Sequence, residues 1–152
     1  MLIQREPSYL MGGTGRWYIL PRMLRILFVC VENSCRSQMA EAFARAIGRE
    51  RVEAHSAGSR PLGQVDPRAI AFMSEVGIDM TAQRSNGLDA IPKGEWDYLV
   101  TMGCGDACPN VPASHRLDWD LPDPKKLDDA GFRGVRDQIA RRVAALLADA
   151  KA

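Results

Sequence analysis

The sequence predicts a small α/β domain whose parallel sheet is covered on both faces. Three observations lead there. Short, almost wholly apolar runs recur along the chain with the composition of buried strands. Segments with helical periodicity separate them. Loops of cysteine, glycine and small polar residues follow two of the runs directly.

Residues 24–29, LRILFV, form the first buried-type strand. From Ser37 to Ile47 the spacing of Met39, Ala42, Phe43, Ala46 and Ile47 predicts a helix. A second strand is expected over 52–57, stopped by Gly58. Asp66-Pro67 then starts a helix, with Asp as N-cap and Pro at its first position; Ile70 and Met73 point inward, and the helix stops near Gly77. YLVTM, 98–102, is another buried strand, followed by a Gly/Cys loop. A long terminal helix places Val135, Ile139, Val143, Leu146 and Leu147 on one face.

Length and charge narrow the function classes. A chain of 152 residues, 46% apolar and 26% charged, is expected to bury an ordinary core without disulfides or structural metal. A formal net charge of +1 argues against a polybasic nucleic-acid or membrane surface. No apolar run approaches the ~18 residues of a membrane span. Residues 1–22 lack the apolar stretch of a signal peptide and are rich in Gly and Pro, so they read as a flexible leader or a mis-assigned start. Residues 23–152 read as a single catalytic domain. Four cysteines without an export signal suggest a reducing cytoplasm, where clustered thiols serve catalysis or metal binding more often than structural disulfides.

Cys30 and Arg36 enclose five residues, VENSC, between the first strand and the first helix. A loop of this length can converge its backbone N–H groups on one point, and the helix aims its positive end at the same place. The substrate cradle is therefore expected to comprise Val31, Glu32, Asn33, Ser34, Cys35, Arg36 and Ser37. The Arg36 guanidinium suits two oxygens of a tetrahedral oxyanion. The same positive field favours the Cys30 thiolate, to which the Ser37 hydroxyl can donate. Cys35 is expected to pack beneath the loop and Asn33 to hold its shape, while Glu32 should point outward, away from a bound anion. Glu41 is expected at the surface or behind the loop. Since ligands of parallel sheets bind at the carboxyl ends of the strands, Cys104 and Cys108 should approach the same site.

The stretches FVCVENSCRSQMAEAFARAIG, SAGSRPLGQVDPRAIAFMSEVGIDM, DYLVTMGCGDACP and LPDP resemble the low-molecular-weight protein tyrosine phosphatase superfamily, and within it the thioredoxin-coupled arsenate reductases. The likeness runs from Met23 to the final helix. It implies a three-layer fold, a four-stranded parallel sheet flanked by helices. It also implies that Asp123, in LPDP, is the acid that protonates the departing oxygen, whereas Asp118, Asp120, Asp128 and Asp129 are ordinary neighbours. Arsenate reduction needs two electrons, so a second thiolate must attack the first sulfur. Cys104 is expected to attack Cys30 and release arsenite, and Cys108 to move the disulfide outward to a thioredoxin-like reductant. No bound organic cofactor and no metal is expected, and a monomer suffices.

The chain departs from these relatives at several positions. Three residues separate Cys104 from Cys108, fewer than usual. Val31-Glu32 replaces the usual Thr-Gly. Lys125 and Lys126 stand where phosphatases place aromatic residues. Some relatives hold potassium with residues matching Asn33, Glu41, Ser56 and an aspartate, but position 86 here is Asn. Two other functions stay open: a low-molecular-weight phosphotyrosine phosphatase, with Cys104 and Cys108 incidental, and a non-catalytic oxyanion or redox sensor. An inert cysteine pair or half of a metal site are the alternatives for Cys104 and Cys108.

Overall fold

The computed structural model of the protein describes residues 6–20, 22–103 and 109–150. The first pair of strands, β1 (Tyr9–Met11) and β2 (Trp17–Ile19), forms an antiparallel hairpin. Sequence reasoning expected no strands in this segment. The reversal is made by glycines: Gly15 takes a left-handed backbone (φ +75°), and Gly12 N–H donates to the Arg16 carbonyl at 2.8 Å. The aromatic and β-branched residues Tyr9, Trp17, Tyr18 and Ile19 suit extended chain but stay exposed.

The main sheet is parallel throughout. Along the chain follow β3 (Leu24–Cys30), α1 (Arg36–Gly48), β4 (Val52–Gly58), α2 (Pro67–Ser74), β5 (Trp96–Thr101), β6 (Ala113–Asp118) and α3 (Asp129–Asp149). Strand order is β4-β3-β5-β6. Phe28 stands beside Ser56 on one flank and Val100 on the other. From β3 the chain turns one way to β4, then crosses to β5 on the other side. The carboxyl end of β3 is thus the point where the connections diverge, the usual crevice for a ligand in open α/β sheets. Cys30 occupies that end.

Alternation along the strands divides the core in two. Ile26 and Phe28 face the layer formed by Met39 and Phe43 of α1, Phe72 and Met73 of α2, and Phe132, Val135, Ile139 and Val143 of α3. Leu27, Val29, Leu99 and Trp96 face the other way. There the cover is the short 3₁₀ turn Leu88–Ala90 with Ile91 and Val111, because Gly87, Pro92 and Gly94 allow only one turn of helix.

β6 was absent from the sequence-predicted elements. Its residues ASHRLD carry charge and are nearly all exposed, because it pairs only with β5 at the sheet edge. Edge strands tolerate charged, weakly apolar sequences that leave no buried-strand signature. Arg25 is buried despite its charge. It donates from Nε to Glu53 at 2.7 Å and from Nη1 to the Glu95 carbonyl at 2.8 Å, and lies 4.2 Å from the centre of the Trp96 ring.

Phe132 is fully buried against Phe72, with ring centroids 4.9 Å apart, and joins α2 and α3 to the sheet. Phe132→Ala is expected to lower unfolding free energy in urea by about 3–5 kcal/mol. Leu117→Ala on the exposed face of β6 should change it by no more than about 0.5 kcal/mol.

Candidate active site

The loop from Val31 to Cys35 leaves the end of β3 and enters α1 within one turn. Asn33 takes a left-handed backbone (φ +50°), which its short polar side chain tolerates. The carboxyl end of β4 packs against it so closely that a Cβ on Gly58 would stand 2.6 Å from the Val31 carbonyl oxygen. Only glycine fits there. No side chain caps α1, whose N-cap position is Cys35, so its first-turn N–H groups are left for an anion.

Cys30 is buried, with Sγ 2.8 Å from the Ser37 hydroxyl. Asn33 Nδ2 donates to that hydroxyl oxygen at 2.8 Å, which leaves the Ser37 proton to point at the sulfur. The Asn33 amide is itself held: its Oδ1 accepts from Gln38 Nε2 at 2.9 Å and from the Asn86 N–H at 2.8 Å. Gln83 Nε2 in turn donates to Gln38 Oε1 at 2.7 Å. A line of hydrogen bonds therefore runs Gln83–Gln38–Asn33–Ser37–Cys30, buried from Gln38 onward. Sequence reasoning found its last three members and missed Gln38 and Gln83, whose positions gave no motif.

A cavity of about 140 Å³ opens above the sulfur, lined by Cys30, Val31, Glu32, Ser34, Cys35, Arg36, Asp123 and Lys125. Drug-sized ligands occupy clefts of roughly 300–1,000 Å³, so this one suits a small ion. A larger cleft of about 660 Å³ lies at the opposite end of the sheet, among Met23, Leu24, Val52, Tyr98, Ser114, His115 and Leu147, and its lining contains no cysteine and no part of the anion loop. The chemistry selects the smaller cavity.

Arg36 lines that cavity and donates from Nη1 to the Leu121 carbonyl at 3.0 Å, drawing the segment that carries Asp123 toward the loop. Asp123 caps the 3₁₀ turn Pro124–Lys126, its carboxylate accepting from the Lys125 N–H at 3.1 Å. Other carboxylates named from sequence have structural partners. Asp118 accepts from the Thr101 hydroxyl at 2.8 Å, Asp128 caps α3, and Asp129 pairs with Arg68 at 3.1 Å. Asp120 is exposed.

Cys35 Sγ donates to Asp66 Oδ2 at 3.2 Å, and burial, reinforced by the Asp66 carboxylate, pushes its thiol well up and keeps it protonated. Asp66 also caps α2 through the Arg68 N–H at 2.8 Å. Glu32 is exposed and ion-paired to Lys125 across the cavity mouth. Glu41 is buried behind the loop and pairs with Arg45 at 3.3 Å. Desolvation outweighs Arg45 and the Ser56 hydrogen bonds and raises the Glu41 carboxyl to about 7. Asn86 donates from Nδ2 to the Arg84 carbonyl at 3.2 Å. Cys104 and Cys108 lie outside the described residues; β5 and Gly103 lead to them from the carboxyl edge of the sheet, next to Arg36.

The family model for low molecular weight phosphotyrosine protein phosphatase matches residues 25–152. A glutaredoxin arsenate reductase of Synechocystis is 39% identical over 129 residues, spanning 83% of this chain and 98% of that protein. A solved arsenate reductase in the phosphate binding state superposes with a TM-score of 0.74 at 38% identity, over 84% of this chain and 98% of that one. A thioredoxin-dependent arsenate reductase of Corynebacterium glutamicum gives 0.70 at 32% identity, over 84% of this chain and 62% of that one.

Glu41, buried between α1 and β4, provides a pH test. Its folded pKa of about 7 exceeds the ordinary 4.5, so the folded state binds the extra proton and the stabilisation is greatest below 4.5. It is lost as pH rises to 7. Unfolding free energies of wild type minus Glu41→Gln should fall by about 3 kcal/mol between acid and neutral pH. A difference independent of pH would mean that Glu41 titrates normally.

Proposed function

The chain belongs to the low molecular weight phosphotyrosine protein phosphatase family, and on that premise we propose how it works as an arsenate reductase. The observation that carries the proposal is the pairing of a buried, hydrogen-bonded Cys30 with a cavity sized for a small oxyanion and bordered by Arg36 and Asp123. The same three residues serve hydrolysis in a phosphatase. The small cavity and the lysines that follow Asp123 favour arsenate over an aryl phosphate.

Arsenate sits on the N–H groups of the Val31–Ser37 cradle and on Arg36. The Cys30 thiolate attacks arsenic, Asp123 gives a proton to the departing oxygen, and water leaves. Ser37 stabilises the thiolate before attack and is itself held by Asn33. Cys104 then attacks the Cys30 sulfur. The sulfur–arsenic bond breaks with its electron pair on arsenic, arsenite departs, and a Cys30–Cys104 disulfide remains. Two thiolates have been oxidised and arsenic reduced by two electrons. Cys108 attacks Cys104, frees Cys30, and leaves a Cys104–Cys108 disulfide for an external dithiol protein of the thioredoxin or glutaredoxin kind.

The electrons thus come from an external reductant, with no bound organic cofactor, in a monomer working in the reducing cytoplasm. No described helix is long and apolar enough to cross a membrane.

Disulfide mapping by mass spectrometry tests the relay. Reduced protein given one equivalent of arsenate, then alkylated and digested, should show Cys104 joined to Cys108 and Cys30 alkylated. Cys30→Ser should abolish turnover, and Cys104→Ser should stop it after the first adduct. Full multi-turnover reduction by Cys104→Ser would overturn the relay. Sustained hydrolysis of a phosphotyrosine peptide with no arsenite formed would make the protein a phosphatase.

A further inference from the structure

Lys125 and Glu32 stand 93 positions apart in sequence and meet across the mouth of the cavity as an ion pair. Each is fixed differently. Glu32 belongs to the front half of the anion loop, whose backbone is pinned from outside. The Val31 carbonyl accepts from the Arg60 N–H at 2.8 Å, and the Glu32 carbonyl from the Leu62 N–H at 2.9 Å and the Ser85 hydroxyl at 3.1 Å. The Glu32 carboxylate is thus borne on an anchored strand of loop.

Lys125 belongs to the 3₁₀ turn that begins at Asp123, and its own N–H is the donor to the Asp123 carboxylate. Ammonium, turn and carboxylate therefore shift together. Among the described residues, a second side-chain link from the anion loop to this segment is Arg36 to the Leu121 carbonyl. Arg36 is also the group that an incoming oxyanion recruits. A tether that does not compete with substrate has to come from elsewhere, and the Lys125–Glu32 pair is placed to supply it.

We propose that Lys125 and Glu32 form an electrostatic clasp, a positioning pair that holds the Asp123 turn over the anion loop while the leaving oxygen is protonated. The proposal rests on the assignment of Asp123 as the acid. The clasp also cancels the Glu32 charge at the mouth, where a bare carboxylate would repel an incoming dianion. Partial burial works against the Lys125 charge, but the Glu32 carboxylate, with Asp66 nearby, holds its pKa above the ordinary value. The side chains are 27% and 48% exposed, so the pair is open to screening by salt.

The experiment measures two rates on the full chain: hydrolysis of p-nitrophenyl phosphate, and arsenite release in a single turnover with arsenate. Lys125→Ala and Glu32→Gln should each lower kcat by up to about fivefold, the upper range for a partly exposed pair. Wild-type kcat should fall with added sodium chloride while that of Lys125→Ala stays level. Exchange of the two charges in Glu32→Lys/Lys125→Glu should recover most of the loss. In a protein already carrying Asp123→Asn, Lys125→Ala should have no further effect, because the turn then has no proton to deliver.

If Lys125→Ala costs as much in the Asp123→Asn background as in wild type, Lys125 acts apart from the acid and the clasp is overturned. If Asp123→Asn alone matches wild type, the acid assignment itself fails, a separate result. Hydrolysis without arsenite release would leave the clasp measurable and remove only the reductase function.

Discussion

The orientation of one serine proton governs the site. Cys30 can serve as a nucleophile toward a bound anion only if its sulfur is held and its negative charge is met by a donor. Ser37 is that donor because Asn33 occupies its lone pair, and Asn33 keeps its orientation because Gln38 and the Asn86 N–H fill its oxygen. The links among Gln38, Asn33, Ser37 and Cys30 are buried. A buried donor or acceptor without a partner costs about 1–3 kcal/mol, so rotation of any one amide would leave its neighbours unpaired. The loop is rigid for that reason, rather than through backbone hydrogen bonds alone.

Rigidity at this loop needs a rigid platform. β3 supplies it by lying between β4 and β5 with side chains buried on both faces. The two cores press on it from opposite sides, helices on one and the short 85–95 segment on the other. The close approach of Gly58 locks the end of β4 to the loop and brings Asn86 within reach through the Gly58–Gly87 bridge. Catalytic geometry is thus continuous with the packing of the sheet.

The proposed acid arrives on a different footing. Asp123 lies on a connection between the edge strand β6 and α3, which Trp119 and Leu121 anchor in the core and which separate polar contacts hold around Asp123. Arg36 holds its entry at Leu121, Arg68 donates to the Leu127 carbonyl at 3.0 Å at its exit, and Lys125 meets Glu32 between them. Such contacts release more readily than buried apolar ones, which suits a segment that must admit substrate and release product. Glu32 and Lys125 complement one another. A carboxylate in the anion loop is acceptable when a lysine covers it.

Local chemistry made much of this legible from sequence. Buried strands are apolar on both faces, so β3 and β5 announced themselves; Asp66-Pro67 marked the start of α2, which the Asp66 side chain caps. The spacing of Cys30 and Arg36 announced an anion loop, because such a loop is built from consecutive residues. The edge strand β6, the N-terminal hairpin and the full cover of the second face were not legible, since exposed strands and short turns need no apolar pattern. Gln38 and Gln83 were invisible for a related reason: an amide in sequence has no assigned partner. Only the fold brings residues 32 and 125, or 38 and 83, within hydrogen-bond reach, and hydrogen bonds depend on distance and direction that sequence spacing does not contain. The sequence by itself determined the Cys30–Arg36 loop and the class of sheet beneath it. The tertiary structure decided which carboxylates face the cavity, which amides aim the serine proton, and what holds the Asp123 turn in place.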